Sequence, residues 1–172
     1  MYILKFILLF LLFCTSTIIG YLISKRYSNR VKILKDIKSG LNIFAVKINF
    51  SCEIISEIFE DISNKLNGVA SNIFKDTITI LNENNTNTIG NAWEKSIEKN
   101  SSQLKKEDID VLKTLGKMLG NTDIEGQINQ INLVESFLEK QIEDSQEEQL
   151  RNSKLYKKLG FICGLVIVIV LI

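Results

Sequence analysis

Residues 6–23 read FILLFLLFCTSTIIGYLI, a run of 18 residues without a charged side chain. At about 1.5 Å per residue in a helix, this run covers roughly 27 Å, enough to cross a bilayer with Lys5 reaching the headgroups. A cleaved signal peptide is the alternative, but only Lys5 precedes the run and bulky rather than small residues end it. The run therefore predicts an uncleaved transmembrane anchor over residues 1–24.

A second apolar run, LGFICGLVIVIVLI, ends the chain at residues 159–172. At the same rise per residue it covers about 21 Å, which is less than the roughly 30 Å hydrocarbon core of a typical bilayer. Because its last seven residues have no polar face, we predict that it is a C-terminal hydrophobic membrane segment. The sequence leaves open whether the segment crosses the whole bilayer.

The segment between the two runs, residues 25–158, is polar and carries all 20 acidic residues and every basic residue except Lys5. Positive charge next to a membrane span stays on the cytoplasmic side. The middle of the chain is therefore predicted to be a cytoplasmic domain, with both termini at or across the far side. After the first run, the flanking basic residues, set against Asp36, are Lys25, Arg26, Arg30, Lys32, Lys35 and Lys38. Before the second run they are Arg151, Lys154, Lys157 and Lys158.

Helical periodicity dominates this middle segment, because its apolar residues recur every three or four positions. Such stripes cover residues 31–48, 54–66, 69–81, 89–97 and 109–119, with breaks expected at 49–52, Gly68, 82–88, 99–103 and Gly120. Several short stripes favour a bundle over one long coiled coil. We therefore predict an all-α fold of about six helices between two hydrophobic membrane helices.

The last helix is predicted to be the longest. Thr122 and Glu125 have the spacing of a capping box, with the Thr122 hydroxyl at the helix start. Glu135 interrupts an apolar seam of coiled-coil type at one position. The helix is expected to run from residue 123 to 158, roughly 54 Å, and to continue into the second apolar run. The seam consists of Ile124, Ile128, Ile131, Leu138 and Ile142.

Composition argues against several classes of function. The chain has no His, which removes the commonest general base, the usual catalytic triads and most zinc sites. Cys14 and Cys163 lie in the apolar runs and Cys52 is alone between them, so no pair has metal-ligand spacing. A net charge of +1 is unlike that of a general nucleic-acid binder. We predict no catalytic activity, no cofactor and no metal site.

Small residues are spaced for close helix packing in both runs. Ser16 and Gly20 lie four residues apart in the first, and Gly160 and Gly164 do so in the second. Such pairs let membrane helices approach closely. These four residues are the predicted helix-packing positions, either against each other or against partner spans.

Three segments carry a resemblance to a known family. They are residues 92–96 (AWEKS), residues 115–127 (LGKMLGNTDIEGQ) and the Leu159-Gly160 pair that opens the second run. The Leu-Gly-x-x-Leu-Gly-x-x-Asp pattern, followed by Gln127, is the most specific of them. In nearly full-length register, the chain resembles the stage III sporulation protein AB family.

This resemblance implies an antiparallel helical bundle similar to the cytoplasmic domain of type II secretion F proteins. It also implies a location in the mother-cell membrane around the forespore. There the protein would be a platform of a secretion-like channel, beneath a secretion-type ATPase, stage III sporulation protein AA, and beside other channel subunits, with a homo-oligomer as a further possibility. Asp123, Glu125 and Gln127 are the candidate partner-binding residues.

Two other classes of function are considered. A membrane-anchored coiled-coil adaptor or signalling linker is the main alternative, because the last helix carries a heptad-like seam. A small membrane-active or holin-like protein is less favoured, because the middle segment is too long and too well patterned. Trp93 is expected in the core rather than at a partner surface.

Overall fold

The computed structural model describes residues 2–51, 53–83, 88–120 and 123–171, and these residues form six α-helices. No strand occurs within these ranges, so the predicted all-α fold is confirmed. A short 3-10 turn, Ser101–Gln103, follows the fourth helix. The helices are α1 (Tyr2–Phe50), α2 (Ile55–Lys65), α3 (Gly68–Glu83), α4 (Ile89–Lys99), α5 (Lys106–Gly116) and α6 (Ile124–Leu171).

The chain divides into two compact units. The hairpin unit consists of Met1–Val31 and Asp144–Ile172, and it contains the two apolar runs. The bundle unit consists of Lys32–Glu143 and contains the short helices α2 to α5. Both α1 and α6 continue from one unit into the other without a break, as their uninterrupted helical patterns predict.

Most helix ends lie where turn residues predict them. The first helix ends at Phe50, within the expected break at 49–52. Gly68 adopts a φ of +67°, which an L side chain rarely takes, and it lets the chain turn between α2 and α3. The expected end of α5 at Gly120 is wrong, because the helix stops at Gly116 and a turn occupies residues 117–120.

The helices α4 and α5 are in close contact at Gly116, where α5 ends. A Cβ atom on Gly90 would lie 2.1 Å from the backbone oxygen of Gly116, so the two backbones meet where neither residue carries a side chain. Leu119 stays buried within the following turn, which explains why its apolar position resembled one more helical turn.

The core of the bundle unit is built on aromatic rings. Phe59 lies at its centre, with ring centroids 5.1 Å from Phe44, 5.1 Å from Phe74 and 5.6 Å from Trp93. All four side chains are fully buried, and the Trp93 indole N–H donates to the Leu112 carbonyl at 2.8 Å. The prediction that Trp93 belongs to the core is confirmed.

Candidate membrane hairpin and partner-binding surface

In the hairpin unit, α1 and α6 pack antiparallel along a seam of small residues. The Ser16 hydroxyl donates to the Gly160 carbonyl at 2.8 Å. A Cβ atom on Gly20 would lie 2.8 Å from the Cα atom of Gly160, and one on Gly164 would lie 3.0 Å from the Phe13 ring. The structure thus brings all four predicted packing residues, Ser16, Gly20, Gly160 and Gly164, into one interface within the chain.

The seam continues with polar contacts that sequence reasoning missed. The hydroxyls of Ser24 and Ser153 are 2.7 Å apart. The buried Arg30 guanidinium donates to the Glu148 carboxylate at 2.9 Å. Small residues at 16, 20, 24 and 28 recur every four positions and could have predicted a longer seam, but the pairing register comes only from the fold.

The two apolar runs lie side by side from Phe6 to Gly20 of α1 and from Gly160 to Val168 of α6. A cavity of about 380 Å³ is lined by Phe6, Leu9, Phe10 and Phe13 of α1 and by Leu165 and Val168 of α6. The last turns of α6 therefore lie level with the first turns of the run in α1. Among the described residues, α1 is the one helix that is long and apolar enough to cross a membrane.

The three candidate partner-binding residues have different surroundings. The Asp123 carboxylate accepts from the Gly126 backbone N–H at 2.9 Å, so Asp123 caps α6. Glu125 is exposed in the first turn, whereas Gln127 is buried. The predicted capping residue Thr122 lies outside the described residues, as does Cys52.

Gln127 lines an open cavity of about 500 Å³ in the bundle unit, where α1 ends and α6 begins. Ile54 and Ile124 line the same cavity and are 62% and 53% exposed, so the wall is both apolar and accessible. The other lining residues are Ile48, Ser51, Glu53, Ile55, Ser56, Leu81 and Ile89.

Ion pairs next to this cavity connect the end of α1 to α2. Lys47 lies 2.8 Å from Glu53 and 3.0 Å from Asp61. Hydrogen bonds to Glu53 and Asp61 raise the pKa of Lys47, and hydrogen bonds from Lys65 and Lys47 lower the pKa of Asp61. Lys47 is thus held as a cation by carboxylates on both sides of the turn.

Part of the apolar seam predicted for α6 faces the interior of the bundle unit, since Ile131 and Leu138 are fully buried and Ile142 is nearly so. Val134, outside the predicted seam, is fully buried as well, whereas Ile124 at the start of the seam is 53% exposed. Glu135 is half-buried beside this row, and one of its carboxylate oxygens, Oε1, makes no hydrogen bond within the part of the chain that the structure describes. Burial raises the pKa of Glu135, nearby Lys38 lowers it, and Glu139 raises it further.

The described residues contain no group of three or more His, Cys, Asp or Glu side chains placed to hold a metal ion. Cys14 is half-buried and Cys163 is exposed, and both are free thiols.

The fold and its surfaces define an all-helical bundle protein with a hydrophobic helical hairpin, one helix of which is apolar enough to cross a membrane. The family model for stage III sporulation protein AB matches residues 5–172. This chain belongs to the stage III sporulation protein AB family.

Two relatives agree with this assignment. The chain is 27% identical over 154 residues to stage III sporulation protein AB of Bacillus subtilis (strain 168), covering 88% of this chain and 90% of the relative. A solved structure of stage III sporulation protein AB superposes with a TM-score of 0.66 at 24% identity, covering 72% of this chain and 98% of the other. The solved structure supports the fold alone, whereas both relatives are named as sporulation proteins.

Proposed function

We propose that this protein is a non-enzymatic membrane platform of the channel complex between mother cell and forespore, required for endospore formation. Its role is positional: a hairpin holds it in the membrane, and the bundle binds other subunits. The observation that carries this proposal is the pairing of the two apolar runs through Ser16, Gly20 and Gly160, which joins them in one apolar unit suited to insertion in a membrane.

The hairpin supports a topology with two spans. Because Leu165 and Val168 of α6 line one cavity with Phe6, Leu9 and Phe10 of α1, α6 reaches the first turns of the run in α1. Residues 155–171 cover roughly 25 Å as a helix, and Lys154, Lys157 and Lys158 can reach the headgroups at its start. By the positive-inside rule, the bundle is then cytoplasmic and both termini lie on the far side.

The apolar cavity lined by Gln127 is the proposed docking surface for the secretion-type ATPase, stage III sporulation protein AA, with other channel subunits on the remaining faces. Accessible apolar surface beside charged residues is typical of protein interfaces. Asp123 and Glu125 flank the exposed Ile124 in the sequence and are proposed as the polar rim of this surface.

A coiled-coil adaptor is less favoured. Such an adaptor needs an apolar seam that is free to bind a second helix. The seam of α6 is already buried in the core of the bundle unit at Ile131 and Leu138.

Affinity capture of the full-length protein from membranes of sporulating cells tests the platform. Wild type should bring down the ATPase and other channel subunits, identified by mass spectrometry. Ile54→Glu, in the cavity wall, should lose the ATPase, whereas Leu133→Glu, 45% exposed on α6 outside the cavity, should keep it. Absence of every channel subunit from the wild-type capture, with normal sporulation after gene deletion, would rule the platform out.

The topology has a separate test. Reporter domains inserted between α3 and α4 should be active only in the cytoplasm. Reporters fused to either terminus should be active only outside it. Activity of the inserted reporter outside the cytoplasm would overturn the orientation without affecting the family assignment.

A further inference from the structure

Six basic side chains lie in the same part of the hairpin, on its two adjacent helices. Contacts between the helices show which segments lie side by side: the Ser24 and Ser153 hydroxyls are 2.7 Å apart, and the Tyr27 and Tyr156 rings stack with centroids 5.8 Å apart. All six side chains are exposed. This basic collar consists of Lys25 and Arg26 on α1 and Arg151, Lys154, Lys157 and Lys158 on α6.

The collar itself contains no acidic side chain. Residues 19–31 and 149–158 contain no Asp or Glu; Glu148 pairs with the buried Arg30, and the exposed Glu147 lies one helical turn before Arg151. The Lys157 ammonium lies 5.8 Å from the centroid of the Tyr21 ring. The six cations lie within about two helical turns of each other on adjacent helices, and only Arg151 has a carboxylate within one turn on its own helix.

The collar coincides with the boundary of the apolar surface. Ile19 and Leu22 of α1 and Leu155 and Leu159 of α6 are exposed beside it. Tyr21 is exposed at the same level, in the position that aromatic side chains prefer at a membrane surface. A hairpin inserted up to this boundary places the six cations at the depth of lipid phosphates.

We propose that the basic collar binds the phosphate groups of anionic lipids in the leaflet next to the bundle, an inference that rests on the proposed membrane insertion of the hairpin. Groups of about four to eight Lys or Arg beside a membrane span attract anionic lipids. Basic residues that only set the membrane topology need to be close in the sequence. In the folded hairpin, basic residues from two separate helices lie together, so that they can contact the same lipid layer.

Lipid retention by the purified full-length protein tests the collar. The protein is equilibrated in detergent micelles with equal amounts of phosphatidylglycerol and phosphatidylcholine, and the retained lipids are quantified by mass spectrometry. Wild type should retain phosphatidylglycerol over phosphatidylcholine by about threefold or more, and the preference should fall as salt screens the charges.

A matched pair of triple variants separates the collar from net charge. Lys154→Gln/Lys157→Gln/Lys158→Gln should bring the preference close to parity. Lys75→Gln/Lys106→Gln/Lys140→Gln removes the same charge from exposed positions of the bundle unit and should keep it. Equal preference in the two variants would overturn the proposal.

Reconstitution into vesicles separates two negative results: a collar that does not select anionic lipids, and a hairpin that does not insert into the membrane. Wild-type protein that resists alkaline extraction from the vesicles is inserted, whatever its lipid preference. Extraction of the wild type would reject both the membrane hairpin and the collar. Stable insertion without lipid preference would reject the collar alone and leave the platform standing.

Discussion

The hairpin unit and the bundle unit hold their helices together in different ways. In the hairpin, backbones meet directly, so that a Cβ atom on Gly20 would lie 2.8 Å from the Cα atom of Gly160. In the core of the bundle, large rings lie between the helices, with the centroids of Phe59 and Trp93 5.6 Å apart, although α4 and α5 also meet directly at Gly90 and Gly116. The hairpin seam is built on the smallest side chains of the chain, and the bundle core is built mainly on its largest.

The difference fits the solvent that we propose for each unit, lipid for the hairpin and water for the bundle. In water, burial of large apolar side chains supplies most of the stabilisation. In lipid, the tails are as apolar as Leu, so helices associate through close packing and hydrogen bonds such as the one from Ser16 to Gly160. Breaking each kind of contact should therefore have distinct consequences.

Removal of the Trp93 ring from the bundle core should have the largest effect on stability. Trp93→Ala leaves a cavity among Phe59 and Phe74 and should lower the free energy of unfolding by about 3–5 kcal/mol. Thermal unfolding of the full-length protein in detergent, followed by circular dichroism, measures this loss. Trp93→Phe, which keeps a ring but loses the hydrogen bond to Leu112, should cost less, and an equal cost would contradict a packing-dominated core.

Forcing the two hairpin helices apart should have the second-largest effect on stability. Gly20→Leu forces a side chain into the Gly160 backbone, and overpacking of this kind costs about 1–3 kcal/mol. In a cysteine-free background, Ser24→Cys/Ser153→Cys should cross-link readily, and Gly20→Leu should reduce the yield severalfold. Thr15→Leu, on the exposed face of α1, is the control. An unchanged yield with Gly20→Leu would show that the seam does not hold the hairpin.

Glu135→Leu should stabilise the bundle, because it removes a half-buried carboxylate from the edge of an apolar seam. Its partial exposure to water limits the expected gain to about 1 kcal/mol at pH 7. Since burial raises the native pKa of Glu135, protonation favours the folded state, and the gain should shrink as the pH falls toward the ordinary value of about 4. Denaturant titrations at several pH values measure it, and a gain that grows on acidification would contradict this reasoning.

The smallest effect is expected for Asp76 at the surface of the bundle. Burial alone would raise its pKa, but hydrogen bonds from Lys99 and Asn100, both at 2.8 Å, lower it. The ionised carboxylate therefore contributes stability above its unfolded pKa, and this contribution is lost as the pH falls through the native value. Asp76→Asn should cost at most about 1 kcal/mol at pH 7 and nothing near pH 2, as urea unfolding can show.

Local pattern predicted much of the fold and part of the hairpin. Periodic apolar residues located the helices, and the four-residue spacing at Ser16 and Gly20 singled out positions that the structure places in the seam. The end of α5 was misplaced because the buried Leu119 continues the helical pattern after the helix has stopped. The cavity around Gln127 and Ile54 left no signal in the sequence, because its residues come from distant segments.

The sequence by itself determined the class of this protein: two apolar runs around a polar helical middle that contains no His. The periodicity of apolar residues and the distribution of charge are local properties of the sequence, so they can be recognised without knowing the tertiary structure. Only the tertiary structure decided that the seam of α6 faces its own bundle, and that Ser24 meets Ser153 while Arg30 meets Glu148. Pairing between residues more than 100 positions apart depends on helix register, which no local pattern specifies.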